Sequence, residues 1–317
     1  MEGIETCMAS FLFYCQYERN LSDKTLKAYK IDLRQFKEFL AKNLPVVRID
    51  SIDKEVVREY IKAVSQGNKP KTIKRKLATV KSLFNYLEFD GTILVNPFRK
   101  LRVSIKEGKI LPKTIPRKSL GRLFGSVYNQ LEAATEKNTL SLTRDIAILE
   151  LLFETGVRVA ELCSLKQEDI DLAGRGVKIM GKGTRERIVP LCSEETIKAV
   201  TAYESLYHSR IEAQQRWFFI NRDGRRLSEQ SVRSIIRKHT KGAALPTNIT
   251  PHMFRHSIAT QLLENGVDIR YIQTFLGHSS ITTTQIYAQV SQKAQRAVLE
   301  LKHPRREYGE KGGIEDN

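Results

Sequence analysis

The sequence predicts a mainly α-helical protein with a small antiparallel β-sheet, divided into two domains. Three observations predict it. Apolar residues recur three and four apart along much of the chain, the period of a half-buried helix. One stretch, residues 177–189, instead alternates around a Gly-bounded turn. Between Lys106 and Pro116 both patterns lapse into Pro and Gly, and the 317 residues leave room for a core on either side.

In chain order, the first helix follows the cap candidates Ser22 and Asp23. Leu26, Tyr29, Leu33, Phe36 and Leu40 then form one apolar stripe. A second helix carries Ile73, Leu77, Val80, Phe84 and Leu87, with Lys71, Lys74, Arg75, Lys76 and Lys81 on its other face. Such a basic face suits a helix laid along a DNA backbone, and equally a solvated surface. These helices define a domain at 1–105, and Pro112 and Pro116 help mark a linker at 106–116. A second domain is expected at 117–301 and a polar tail at 302–317. Within it, Leu142 to Glu154 reads as a helix stopped at Gly156. Val177–Met180 and Arg187–Val189 read as a hairpin around Gly181-Lys182-Gly183-Thr184. Trp217–Ile220 is expected as a further short strand before the turn Asn221–Gly224. Ser228–His239 returns to helix, with Val232, Ile235 and Ile236 inward and Arg233, Arg237 and Lys238 outward; helices then continue to about Leu301.

Composition narrows the class. Lys and Arg number 53 against 36 Asp and Glu, a net charge of +17, and the excess is densest before residue 114. Neutralising a phosphate backbone is the commonest use of such a balance, although a merely soluble basic protein also fits. Cys7, Cys15, Cys163 and Cys192 are scattered, which argues against a disulfide framework and against a zinc site. No apolar run reaches the ~20 residues of a membrane span. Acidic Glu2 and Glu5 before the apolar patch Met8–Cys15 argue against a signal peptide, so a cytoplasmic protein is expected.

Four short segments carry the chemistry. They are Thr155-Gly156-Val157-Arg158-Val159-Ala160-Glu161-Leu162, then Gly181-Lys182-Gly183, then Pro251-His252-Met253-Phe254-Arg255-His256, then Leu276-Gly277-His278 with Tyr287 nine residues on. Singly each is weak: Gly-Lys-Gly is usually a turn, and a lone tyrosine is usually core. Together and in this order they make the chain resemble the tyrosine recombinase (phage integrase) family, most closely its Xer-like two-domain bacterial members. The resemblance spans about the whole chain and is strongest between Glu154 and Val290. Ala160, where many relatives have Ser, is a small departure. The resemblance implies a helical N-terminal core-binding (SAM-like) domain and a mixed α/β C-terminal tyrosine recombinase catalytic domain.

The residues make chemical sense of this. Phosphoryl transfer needs an in-line nucleophile and fixed positive charge around the non-bridging oxygens. Arg158 and Arg255 are candidates for that charge, because guanidinium stays protonated and matches phosphate with paired donors. The expected enzyme therefore uses no metal and no cofactor. The resemblance makes His252 the general base and phosphate orienter, and His278 a hydrogen-bond donor to a phosphate oxygen. Lys182 is expected to protonate the departing 5′ oxygen, its pKa depressed among cations, or else simply to touch phosphate. Glu161 resembles the family's buried acidic partner that positions catalytic side chains, or is a plain helix salt bridge. Tyr287 is the expected nucleophile, forming a 3′-phosphotyrosine that a second 5′-hydroxyl reverses without ATP.

The expected partner is double-stranded DNA, with no membrane and no small-molecule substrate. Lys71, Lys74 and Arg75 are candidate contacts of the first domain. Arg233 and Arg237, four apart, are candidates for the major groove or for phosphates alone. The resemblance implies a tetramer on two DNA sites and a Holliday junction intermediate. It also places a segment after the nucleophile on a neighbouring protomer, here Gln292–Leu301, whose stripe Ala294, Val298 and Leu301 alternatively folds back on its own domain. Two other readings stay open: a type IB-like topoisomerase, and a non-catalytic DNA-binding protein.

Overall fold

The computed structural model describes residues 3–43, 48–99, 101–106, 113–181, 186–208, 216–246 and 248–277. The chain divides into two compact units, Met1–Ile110 and Leu111–Asn317. Each has its own apolar core.

The first unit is helical. Helix α1 (Ile4–Phe13) runs into a π-helical turn, Tyr14–Glu18, and is followed by α2 (Asp23–Asn43), α3 (Lys54–Ser65) and α4 (Pro70–Phe89). Both expected stripes face inward: Leu26, Leu33, Phe36 and Leu40 of α2, and Ile73, Leu77, Val80, Phe84 and Leu87 of α4, are buried. Tyr29 is partly buried and stacks on Phe11 of α1. The sequence reading left α3 without a range, yet its start is chemically marked. Asp53 caps it, accepting from the backbone N–H groups of Glu55 and Val56 at 2.9 Å. A buried carboxylate joins α2 to α4: Asp32, fully buried, pairs with Arg75 and accepts from the Thr79 hydroxyl at 3.0 Å.

The second unit comprises α5 (Arg117–Glu132), α6 (Glu136–Thr155), α7 (Val159–Cys163), β1 (Ile170–Asp171), β2 (Gly176–Met180), β3 (Glu186–Pro190), α8 (Glu194–His208), α9 (Glu229–Gly242), α10 (Pro251–Glu264) and α11 (Ile269–Leu276). Helix α6 starts earlier than its apolar period and ends at Gly156 with φ +58°. Ile146 through Leu149, with Leu151 and Leu152, are all buried, so α6 is covered on several sides and acts as the central post of this core.

The predicted hairpin is present as β2 and β3, antiparallel with Val177 opposite Val189 and Ile179 opposite Arg187. The short β1 adds a third strand in the order β1-β2-β3. Trp217–Ile220 does not form the expected strand. Only single bridges flank it, Lys166 to Trp217 and Ile220 to Arg226. Its aromatic residues serve as a core plug instead: Phe218 and Phe219 are buried against Tyr203, and the Phe218 amide donates to the Leu165 carbonyl at 2.8 Å. Ser228 caps α9 by accepting from the Ser231 amide, and Val232, Ile235 and Ile236 turn inward as read. A buried pair, His239 Nε2 and Asp145 at 2.9 Å, fastens α9 to α6.

Lys182 with the hairpin turn, His278, Tyr287, the segment Gln292–Leu301 and the tail 302–317 lie outside the described residues. No helix among the described residues is long and apolar enough to cross a membrane.

Candidate active site

The site grows from the end of α6. After Gly156 the chain turns, and Arg158 takes the N-cap position of α7 with an extended backbone, φ −70° and ψ 147°. Three residues on, Glu161 folds back and accepts from the Arg158 amide at 2.8 Å, one half of a capping box. The same carboxylate accepts from Arg158 Nη1 at 2.8 Å. Glu161 is buried and makes the i,i+3 ion pair with Arg158.

A third arginine completes the group. Arg187, on β3, donates Nη1 and Nη2 to the two Glu161 oxygens at 3.3 and 3.0 Å. The sequence reading placed Arg187 at the start of a hairpin strand and gave it no role. Pairing across 26 residues leaves no local periodicity to betray it.

Arg255 arrives from α10, whose N-terminus is set by Thr250 and Pro251. It is buried, donating Nη1 to the Gly156 carbonyl at 2.7 Å and Nη2 to the Leu276 carbonyl at 2.6 Å. His252, three residues earlier, is exposed.

The three arginines converge on one place, the C-terminal end of α11. The carbonyls of the last helical turn have no intrahelical partner. Here Phe275 accepts from Arg187 Nε at 3.1 Å, Leu276 from Arg255, and Gly277 from Arg158 Nη2 at 3.3 Å. Three consecutive acceptors receive donors from three separate elements. The helix dipole adds to this, since its C-terminal end favours cations. Gly277, φ +65°, ends the helix; a Cβ there would lie 2.8 Å from Arg187 Nη1. The next residue in the chain is His278.

Electrostatically, three guanidinium groups face one carboxylate, so the cluster retains excess positive charge and suits an anion. Burial pushes the Glu161 carboxyl up, but hydrogen bonds from Arg187 and Arg158 outweigh it and hold it below the usual carboxylate range. His256, beside this group on α10, is held below the usual histidine range by burial first, then by the charges of His252 and Arg255.

The candidate DNA contacts divide. Lys71, Lys74 and Arg237 are exposed. Arg75 gives Nη1 to buried Asp32, and Arg233 pairs with Glu229 at 2.9 Å. The exposed Arg233 pair is weak enough to exchange for a phosphate, whereas Arg75 leaves a buried carboxylate behind if it moves. In the same unit as the arginines, an apolar cavity of about 650 Å³ is lined by Phe124, Phe153, Ile258, Leu262, Val267 and Phe275 among others.

Comparison with known proteins follows the same division. Residues 122–294 match the model of the phage integrase family, and residues 8–91 that of the phage integrase N-terminal SAM-like domain. A tyrosine recombinase of Agathobacter rectalis is 42% identical over 309 residues, covering 97% of this chain and 99% of the relative. Tyrosine recombinase XerC of Thermodesulfovibrio yellowstonii is 36% identical, covering 96% and 98%. Among solved structures, the XerH site-specific recombinase in its post-cleavage complex with a palindromic difH substrate superposes with a TM-score of 0.74. It is 21% identical, over 93% of this chain and 85% of that one.

Proposed function

Since the chain belongs to the phage integrase family, the tyrosine recombinases, we propose that it exchanges strands between two DNA sites through a covalent bond to Tyr287. Site-specific recombination is the reading the site supports best. The observation that carries it is the convergence of Arg158 and Arg255, 97 positions apart in sequence, on one turn of chain ten or eleven residues before that tyrosine.

In this mechanism the scissile phosphate sits between the Arg158 and Arg255 guanidinium groups, which balance charge on its non-bridging oxygens. His252 takes the Tyr287 proton and helps orient the phosphate, and His278 donates a hydrogen bond to it. The tyrosine oxygen forms a bond to phosphorus as the bond to the 5′ oxygen breaks, and Lys182 supplies a proton to that oxygen. A 3′-phosphotyrosine and a free 5′-hydroxyl result. A 5′-hydroxyl from a second duplex then attacks phosphorus and returns the tyrosine, so no nucleotide is consumed. No step calls on a metal or a cofactor. Two such rounds pass through a Holliday junction, with four protomers on two double-stranded sites.

Lys71, Lys74 and Arg237 supply phosphate contacts, and Arg75 and Arg233 join them where they exchange their carboxylate partners. The apolar cavity is the seat for the stripe Ala294, Val298 and Leu301 of a neighbouring protomer. We place the enzyme in the cytoplasm, in chromosome-dimer resolution or in integration and excision of a mobile element. The relatives described above are recombinases by name, which leaves the topoisomerase alternative without support. The test is a duplex carrying a site selected by the protein from random DNA, nicked so that the cleaved end diffuses away. The wild-type chain is expected to accumulate a covalent adduct and Tyr287→Phe none; an adduct in both would end this reading.

A further inference from the structure

Arg187 is the arginine of the cluster to which the mechanism gives no step, and its contacts suggest why it is there. Its side chain is only 13% exposed, and each of its three guanidinium nitrogens already has a protein acceptor. Nη1 and Nη2 hold Glu161, and Nε holds the Phe275 carbonyl. Gly277 lies so close that any side chain there would meet the guanidinium. A residue so occupied acts through its neighbours.

From this geometry we propose that Arg187 is a positioning residue for strand cleavage: it neutralises Glu161 so that Arg158 keeps its charge for phosphate. It also fixes the Phe275 carbonyl, and with it the start of the chain leading to His278 and Tyr287. Two consequences follow from simple electrostatics. With Arg187 present, the Glu161 charge is divided between two guanidinium groups. Without it, the whole carboxylate charge falls on Arg158, 2.8 Å away, and weakens its hold on the charge that develops on the phosphate oxygens in the transition state. The loss therefore appears in the chemical step at saturating DNA, and removing the Glu161 charge relieves it. The inference rests on the assignment of Arg158 to the scissile phosphate.

The test uses the full chain and the nicked selected duplex, with single-turnover adduct formation measured across protein concentration. Arg187→Gln is expected to cut the saturated rate about 100-fold, the scale of a catalytic group displaced by an ångström. The concentration giving half-saturation is expected to stay within about threefold, since Arg187 holds no phosphate itself. Glu161→Gln should slow the wild-type chain yet speed the Arg187→Gln chain by about tenfold, a sign reversal that only directly coupled residues show. Arg187→Lys keeps a charge beside Glu161 but not the fork, and should fall between wild type and Arg187→Gln. If Arg187→Gln does not fold, Arg187→Lys with and without Glu161→Gln carries the same comparison. A saturated rate equal to wild type, a loss confined to affinity, or two losses that simply multiply would each overturn the inference. Absence of any adduct in the wild-type chain, or an adduct in Tyr287→Phe, would instead remove the reaction on which it rests.

Discussion

Glu161 accepts hydrogen bonds from two arginine side chains and one backbone amide while almost fully buried. Its carboxyl titrates below the ordinary range, so the sign of its effect on stability is fixed. A depressed folded-state pKa contributes stability that is fully present above the unfolded value, about 4.3, and is lost as pH falls through the folded one. The stability of the wild-type chain against urea is expected to fall from pH 5 toward pH 3. Glu161→Gln should be less stable at pH 7 by about 1–3 kcal/mol, and should lose less over the acid interval. Parallel pH profiles for the two chains would contradict this account. The residue scale is also where the sequence was hardest to read. Arg158 and Arg255 stood out because their motifs are local, whereas Arg187 and Arg75 find their carboxylates 26 and 43 residues away and look like any other surface arginine.

Helices were more legible than strands for a physical reason. The stripes of α2 and α4 repeat over five apolar positions each, enough to define a face. Strand β1 has two residues, too few for any alternation, and Trp217–Ile220 offers an aromatic run that suits a strand and a core plug alike. The helix end at Gly277 allows a sharper test. Gly266 and Gly277 both have positive φ, +81° and +65°, but open space surrounds Gly266 while Arg187 crowds Gly277. Gly266→Ala should cost only the backbone strain, about 1 kcal/mol. Gly277→Ala adds displacement of Arg187 and should cost about 1–2 kcal/mol more, given the charge-assisted bonds involved. Thermal melts of the two variants measure the difference, and equal melting temperatures would show that Arg187 shifts freely.

Across the whole molecule, the excess of 17 positive charges acts at long range and is screened by salt. The logarithm of DNA affinity should fall linearly with the logarithm of salt concentration, by about 0.9 per phosphate neutralised. Lys71→Ala is expected to lower that slope by about 1 while leaving the melting temperature unchanged. Arg75→Ala should lower the melting temperature as well, because it strips Asp32 of its ionic partner. A Lys71→Ala slope equal to wild type would take that lysine off the phosphates. The division into a helical part and a part containing the hairpin was readable from composition and periodicity, because each part must bury its own apolar face.

The turn at residues 275–277 also constrains how the enzyme comes into being. The bonds that gather there span 119, 88 and 21 residues of chain. Contacts of such separation form late, after the intervening segments have condensed. On the ribosome, Arg158 and Arg187 are made long before the carbonyls that orient them, and Tyr287, the proposed nucleophile, emerges later still. A polypeptide cut short before residue 275 therefore lacks the acceptors that bring these arginines together. The gathering of the three arginines is withheld until the chain has been made through residue 277.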